Sequence, residues 1–249
     1  MVHGLGAHSG RWEFLADFFL KNGIASYSIE LKGFGETTDL KGHVGSFDIY
    51  YRDILSLYEV IGQEQAGKRI FIVGESMGAL LSFIVAAQEP GLFSGVICLS
   101  PAIKSRMKFS PMDYLNIFSS LLYAPKKQIV MPFTSAMCTR DTAYQKVMDS
   151  DPREHRFATP RLLVAIAGGQ LCAARLRKRL AAPVLFLVAG DHDQLIDPAA
   201  AEKFFAGVAI GDKKLVRYPD MYHALSIDLG REKVFGDMLE WIETRLKRA

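Results

Sequence analysis

Short apolar runs alternate with longer amphipathic stretches along most of this chain, and their spacing predicts its elements. Residues 24–29 read as a strand. Residues 47–61 place Ile54, Leu55, Leu57, Tyr58 and Ile61 at the recurrence of a helix with one buried face. Residues 69–73 form a β-branched run short enough for a buried strand, and a helix over 77–88 follows, closed by Pro90. Further strands are predicted at 95–99, 183–188 and 214–218, with a last helix over about 232–247. Strands alternating with helices in this order point to an α/β architecture, a mainly parallel sheet covered on both faces.

One region breaks the rhythm. Residues 104–180 contain no clear apolar strand and are punctuated by Pro111, Pro125, Pro132, Pro152 and Pro160, with helix-like stretches at 112–123 and 159–167. This reads as a helical cap inserted between two strands of the sheet. It divides the chain into a core of residues 1–103 and 181–249 and a cap of residues 104–180.

Composition narrows the class. At 249 residues and 49% hydrophobic, the chain can bury a sizeable core without disulfides. A net charge of +3, scattered along the sequence, is too weak and dispersed for a nucleic-acid partner. Cys98, Cys138 and Cys172 are odd in number and lack metal-ligand spacing, which fits a reducing, cytoplasmic setting. No basic segment followed by an apolar stretch opens the chain, and no run is long and apolar enough to span a bilayer.

The sharpest chemical signal is Gly74-Glu75-Ser76-Met77-Gly78. It directly follows a predicted strand and directly precedes a predicted helix, the context of a nucleophile elbow. A serine on so sharp a turn needs glycines at its flanks, because backbone and helix approach closely there. A serine in a nucleotide-binding turn is the alternative, but the chain has neither G-x-G-x-x-G nor a Walker lysine. A serine hydroxyl needs a base within reach. Among the six histidines, His223 follows the last strand and comes after the serine, whereas His43 and His155 lack such a setting and read as surface residues. The acid that orients the imidazole should follow a strand between the two. Asp191, Asp193 and Asp197 lie there; Asp197 precedes Pro198 and reads as a helix N-cap, while residue chemistry does not separate Asp191 from Asp193. An H-G-x-G loop at His3-Gly4-Leu5-Gly6 suits the second side of an oxyanion hole, its donors the backbone N–H groups of Leu5 and Met77.

These motifs resemble the monoacylglycerol lipase and lysophospholipase-like branch of the α/β-hydrolases. The likeness runs through residues 3–12, through Leu31-Lys32-Gly33-Phe34-Gly35-Glu36, and through the elbow and Tyr222-His223. Thr139-Arg140-Asp141 with Asp151-Pro152 is similar to the cap of bacterial members. Placing the branch's G-x-x-D-x-x-x-D pattern on Gly190 implies Asp193 as the triad acid. Ala7 and Lys32 depart from the usual Glu and Arg. Members of the branch usually carry two strands and most of a third before H-G-x-G. With those N-terminal strands missing here, six or so core strands are expected rather than eight.

The resemblance implies a serine esterase acting through an acyl-enzyme, with Ser76, His223 and Asp193 as triad and no metal or organic cofactor. The expected partner is a small-molecule ester with one acyl chain, such as a monoacylglycerol or lysophospholipid; thioesters, acyl transfer to another alcohol, and a binding protein without turnover are the competing expectations. Phe109, Met112, Tyr114, Leu115, Ile117, Phe118, Leu121, Leu122 and Tyr123 are expected mostly to pack the insertion onto the core. The remainder would line an acyl tunnel or make peripheral membrane contact.

Overall fold

The computed structural model describes residues 1–247. Its centre is a parallel sheet of four strands, β1 (Phe71–Glu75), β2 (Gly95–Leu99), β5 (Val184–Ala189) and β6 (Lys213–Tyr218), in the order β1-β2-β5-β6. Beyond β1 the sheet continues as two single bridges, Val2 against Gly74 and Ile29 against Val2, both parallel. The stretch predicted as a strand at 24–29 is therefore reduced to Ile29. It lies on the rim of the sheet, where its ladder partner among the described residues is the one-residue bridge at Val2.

Side-chain alternation along the strands divides the apolar core into two layers. Val96, Cys98, Val184, Phe186 and Val188 face one layer; Ile97, Leu99, Leu185, Leu187 and Ala189 face the other. Helices α1 (Glu13–Lys21) and α9 (Arg231–Leu246) cover the second face with Leu15, Phe19, Phe235 and Trp241. Helices α2 (Phe47–Glu64), α3 (Met77–Gln88) and α8 (Pro198–Ala206) cover the first. With both faces covered, β1, β2 and β5 read as continuous apolar runs rather than alternating ones. Edge strand β6 instead carries Lys213, Lys214 and Arg217, charges that discourage further strand pairing.

Helix α3 is buried from Met77 to Ala87 because a second layer lies over it. That layer comes from residues 104–180, which form α4 (Pro111–Tyr123), α5 (Ser135–Cys138), α6 (Thr142–Ser150) and α7 (Pro160–Leu176). Thr159 caps α7 through the Leu162 N–H, and Pro160 occupies the first turn, where a missing N–H costs nothing. The sequence pattern did not reveal the antiparallel ribbon of β3 (Ile129–Val130) and β4 (Phe157–Ala158), each too short to show a period.

Helix α4 departs from expectation in another way. Met112, Tyr114, Leu115, Phe118, Leu122 and Tyr123 are all exposed, Phe118 and Leu122 at 73%. Ile117 and Leu121 are half-buried on the opposite side of the helix. The apolar residues wrap too far round α4 for one contact face to cover them. Among the described residues no helix is long and apolar enough to cross a membrane.

Candidate active site

The elbow at Ser76 is built by close backbone approach. Strand β1 ends at Glu75, Ser76 turns with φ 56° and ψ −117°, and α3 begins at Met77. Positive φ is costly for a residue with a side chain. Here it is held by hydrogen bonds: Ser76 N–H donates to Leu99 O (2.9 Å), and Ser76 O accepts from Ala102 N–H (3.1 Å) and Leu80 N–H (3.2 Å). A Cβ at Gly74 would overlap Gly78 O, and one at Gly78 would overlap Val2 O, so both flanking positions require glycine.

The His3 loop is laid over this turn by a short ladder. Val2 N–H donates to Val73 O (2.8 Å), and Glu75 N–H donates to Val2 O (3.2 Å). Gly4 then passes so close that a Cβ there would stand 3.1 Å from the Ser76 Cβ. Leu31 N–H donates to His3 Nε2 (3.1 Å), which makes Nε2 an acceptor and leaves Nδ1–H to donate to Gly4 O (2.9 Å). Burial lowers the His3 pKa to about 4, so the ring is neutral and acts as a brace between two backbone segments. The Leu5 and Met77 N–H groups take no part in the loop's backbone hydrogen bonds among the described residues, which run from Ala7 to Gly4 and from Leu80 to Ser76.

His223 arrives on the turn after β6. Its Nδ1 lies 2.8 Å from Asp193 Oδ2, and both side chains are buried. The other Asp193 oxygen accepts from Leu195 N–H (2.8 Å) and Ile196 N–H (2.9 Å), fixing the carboxylate in a tight turn after β5. Burial acts to raise the Asp193 pKa, but the charge of His223 and these donors outweigh it and hold the group below its ordinary value. For His223 burial acts downward, and Asp193, with Glu75 further off, more than compensates, so the imidazole pKa lies above 6.5.

The structure thus separates the aspartates that the sequence left open. Asp191 is 84% exposed and pairs with Arg217 (2.7 Å). Asp197 caps α8 through Ala199 and Ala200 N–H. Of the three, Asp193 is the one whose carboxylate reaches His223. Ser76, His223, Gly4 and Leu5 line one small cavity of about 50 Å³, together with Met107, Phe133, Cys138, Leu195 and Ile196.

Two histidines expected at the surface are only partly exposed. His43 is half-buried and its Nδ1 meets Thr159 Oγ1 at 3.0 Å, while His155 stacks on Phe34 with ring centroids 5.1 Å apart. Both join loops of the sheet layer to residues 104–180, packing that local sequence does not reveal. Three buried groups around His223 carry little signal in the local sequence. Glu75 accepts from Ser226 N–H and Oγ–H. Arg11 makes a two-point ion pair with Glu154. Asp228, fully buried, accepts from Thr139 Oγ1, Arg140 N–H, Arg140 Nε–H and Tyr222 N–H. The available signal is Asp228 itself, a carboxylate five residues past the histidine in a run whose other members are Ala224, Leu225, Ser226 and Ile227.

Known proteins share this fold. A monoacylglycerol lipase structure from Paleococcus ferrophilus superposes with a TM-score of 0.88 over 98% of this chain and 93% of that one, at 24% identity, which establishes the α/β-hydrolase fold. Human monoglyceride lipase is 27% identical over 99% of this chain and 82% of its own length. Monoacylglycerol lipase of Mycolicibacterium smegmatis is likewise 27% identical, over 99% of this chain and 88% of its own. Residues 1–230 match the model of the hydrolase family described as "Serine aminopeptidase, S33", and the chain belongs to that family.

Proposed function

We propose that the protein is a carboxylic ester hydrolase of the monoacylglycerol lipase and lysophospholipase type, working through an acyl-enzyme on Ser76. The observation that carries this reading is the 2.8 Å contact of His223 Nδ1 with Asp193, beside a strained serine in one cavity. His223 takes the Ser76 proton through Nε2 and returns it to the leaving alcohol; Asp193 holds the imidazole and stabilises its cation. The N–H groups of Leu5 and Met77 receive the oxyanion, each donor worth about 2.7–4 kcal/mol in comparable sites. Water then repeats the chemistry on the acyl-enzyme. The names of the relatives support a glycerol-linked single-chain lipid as substrate.

In this reading residues 104–180 form a cap over a core of residues 1–103 and 181–249. A cavity of about 50 Å³ is far below the roughly 300–1,000 Å³ of a filled ligand site. Substrate entry therefore requires the lining of this cavity, which includes Met107 and Phe133, to move apart. The exposed apolar face of α4 gives the cap a means of peripheral contact with lipid aggregates. Three unpaired cysteines support a reducing, cytoplasmic location.

The test is turnover of p-nitrophenyl esters of increasing acyl length by wild type and Ser76→Ala. Serine-dependent turnover with a medium- or long-chain optimum is expected. Folded wild type without turnover at any length would sink the reading.

A further inference from the structure

Glu75 stands between Gly74 and Ser76, at a position where the turn itself demands no particular side chain. Its carboxylate is buried, 5% exposed, and accepts from Ser226 N–H (3.0 Å) and Ser226 Oγ–H (2.9 Å). Among the described residues it has no ion-pair partner: Arg11 lines the same cavity but is engaged at two points by Glu154. Burying a carboxylate with two neutral donors and no counter-ion is costly. A glutamine would hold the Ser226 N–H equally well, so the tether alone does not account for the charge.

The tether has a target. Ser226 lies three residues past His223, and the turn between them is tight: Leu225 N–H donates to His223 O (3.1 Å) and Ile227 N–H to Ala224 O (3.1 Å). An anchor at Ser226 therefore fixes the peptide that carries the imidazole. Strand β1, which ends at Glu75, also delivers Ser76, so one side chain registers the serine segment against the histidine segment, 151 residues away.

We propose that Glu75 is a positioning residue for His223: it pins the His223 turn to the strand that delivers Ser76, and it supplies, besides Asp193, a second negative charge for the imidazolium formed during acyl transfer. The inference rests on the reading of Ser76 and His223 as nucleophile and base. The proton moves from Ser76 Oγ to His223 Nε2. Burial raises the Glu75 pKa, the Ser226 donors and His223 act against that rise, and the second charge is present above the Glu75 midpoint.

The other groups facing this pair leave that role open. Asp193 holds the far side of the ring. Arg11 opposes protonation of His223, but Glu154 offsets its charge. Cys138 on α5 and Tyr144 on α6 also face Glu75; burial pushes the thiol up to about 12 and raises the phenol, so both are neutral. His8 lies beyond, beside Asp151 and Glu154, its pKa lowered by burial.

Glu75→Gln, Glu75→Asp and Ser226→Ala separate the charge from the tether. The readouts are kcat/KM against pH on a soluble short-chain ester and an NMR titration of the His223 imidazole, which needs no turnover. In Glu75→Gln both midpoints are expected to move to lower pH, with the high-pH plateau within about fivefold of wild type, the scale of one weakened hydrogen bond. Glu75→Asp and Ser226→Ala keep the charge: their midpoints should stay at the wild-type position while the plateau falls by about fivefold. Coincident midpoints for Glu75→Gln and wild type in both readouts overturn the proposal, as does a downward shift in Glu75→Asp equal to that of the glutamine variant. If wild type turns over no ester yet Glu75→Gln still lowers the NMR midpoint, the hydrolase reading falls and the coupling of Glu75 to His223 stands.

Discussion

The His3 loop and the His223 loop approach Ser76 from opposite ends of the chain, and each carries a buried histidine. Their chemistry is opposite. His3 accepts from one backbone N–H and donates to one carbonyl, and burial drives its pKa down to about 4. His223 is equally buried, but a carboxylate lies against its Nδ1 and its pKa rises. Both rings have a carboxylate nearby, but Glu30 stands 3.5 Å from His3 Nε2, which already accepts from Leu31 N–H, and it does not offset burial, whereas Asp193 is hydrogen-bonded to His223 Nδ1 and does.

That contrast can be broken most severely at Asp193. Asp193→Asn removes the charge and allows the wrong tautomer, and kcat on a soluble ester should fall about 10⁴-fold, as in comparable triads. A loss below tenfold would remove Asp193 from the proposed triad. In wild type the acid limb of kcat/KM should have its midpoint above 6.5, because the base must be neutral and its pKa is raised. A midpoint near 4 would transfer the base role away from His223.

His3→Ala should act on the brace instead. It leaves Leu31 N–H and Gly4 O without their partner, which predicts a loss of about 2–4 kcal/mol in denaturant unfolding. It should also lower kcat by about a hundredfold, since the loop bearing the Leu5 N–H loses its fixed geometry. An unchanged pH midpoint in this variant would confirm that its effect is geometric. Phe118→Ser with Leu122→Ser should leave hydrolysis of a soluble ester unchanged and lower activity on dispersed lipid about tenfold, the loss of two apolar contacts at an interface. Equal activities on both substrate forms would exclude α4 from interfacial contact. The smallest effect belongs to Asp191→Asn: its exposed pair with Arg217 is worth at most about 1 kcal/mol, and activity should be unaltered.

Much of this was legible in the sequence, for reasons that differ by element. The elbow could be read because Gly74 and Gly78 are required by backbone contacts that no larger residue survives. His223 is singled out in the sequence by chain order, and its Nδ1 lies against Asp193. Asp193 could not be told from Asp191 by chemistry, since the choice is made by a turn in which Leu195 and Ile196 N–H groups point at one carboxylate. The strand at 24–29 was overread because apolar content says nothing about whether a ladder partner is present on the sheet rim. The outward face of α4 was misassigned because an amphipathic pattern fixes a helix's stripe and leaves open what the stripe meets.

Asp228 has a consequence for recombination among relatives. One carboxylate receives Thr139 and Arg140 from the proposed cap and Tyr222 from the segment that carries His223. Ala224 N–H adds a further tie to Cys138 O (2.9 Å). A chimera that exchanged residues 104–180 alone would sever that joint and strand a buried anion. The transferable block is instead the insertion together with the 222–228 turn, so the proposed cap and the loop that aims His223 at Asp193 would be inherited as one unit.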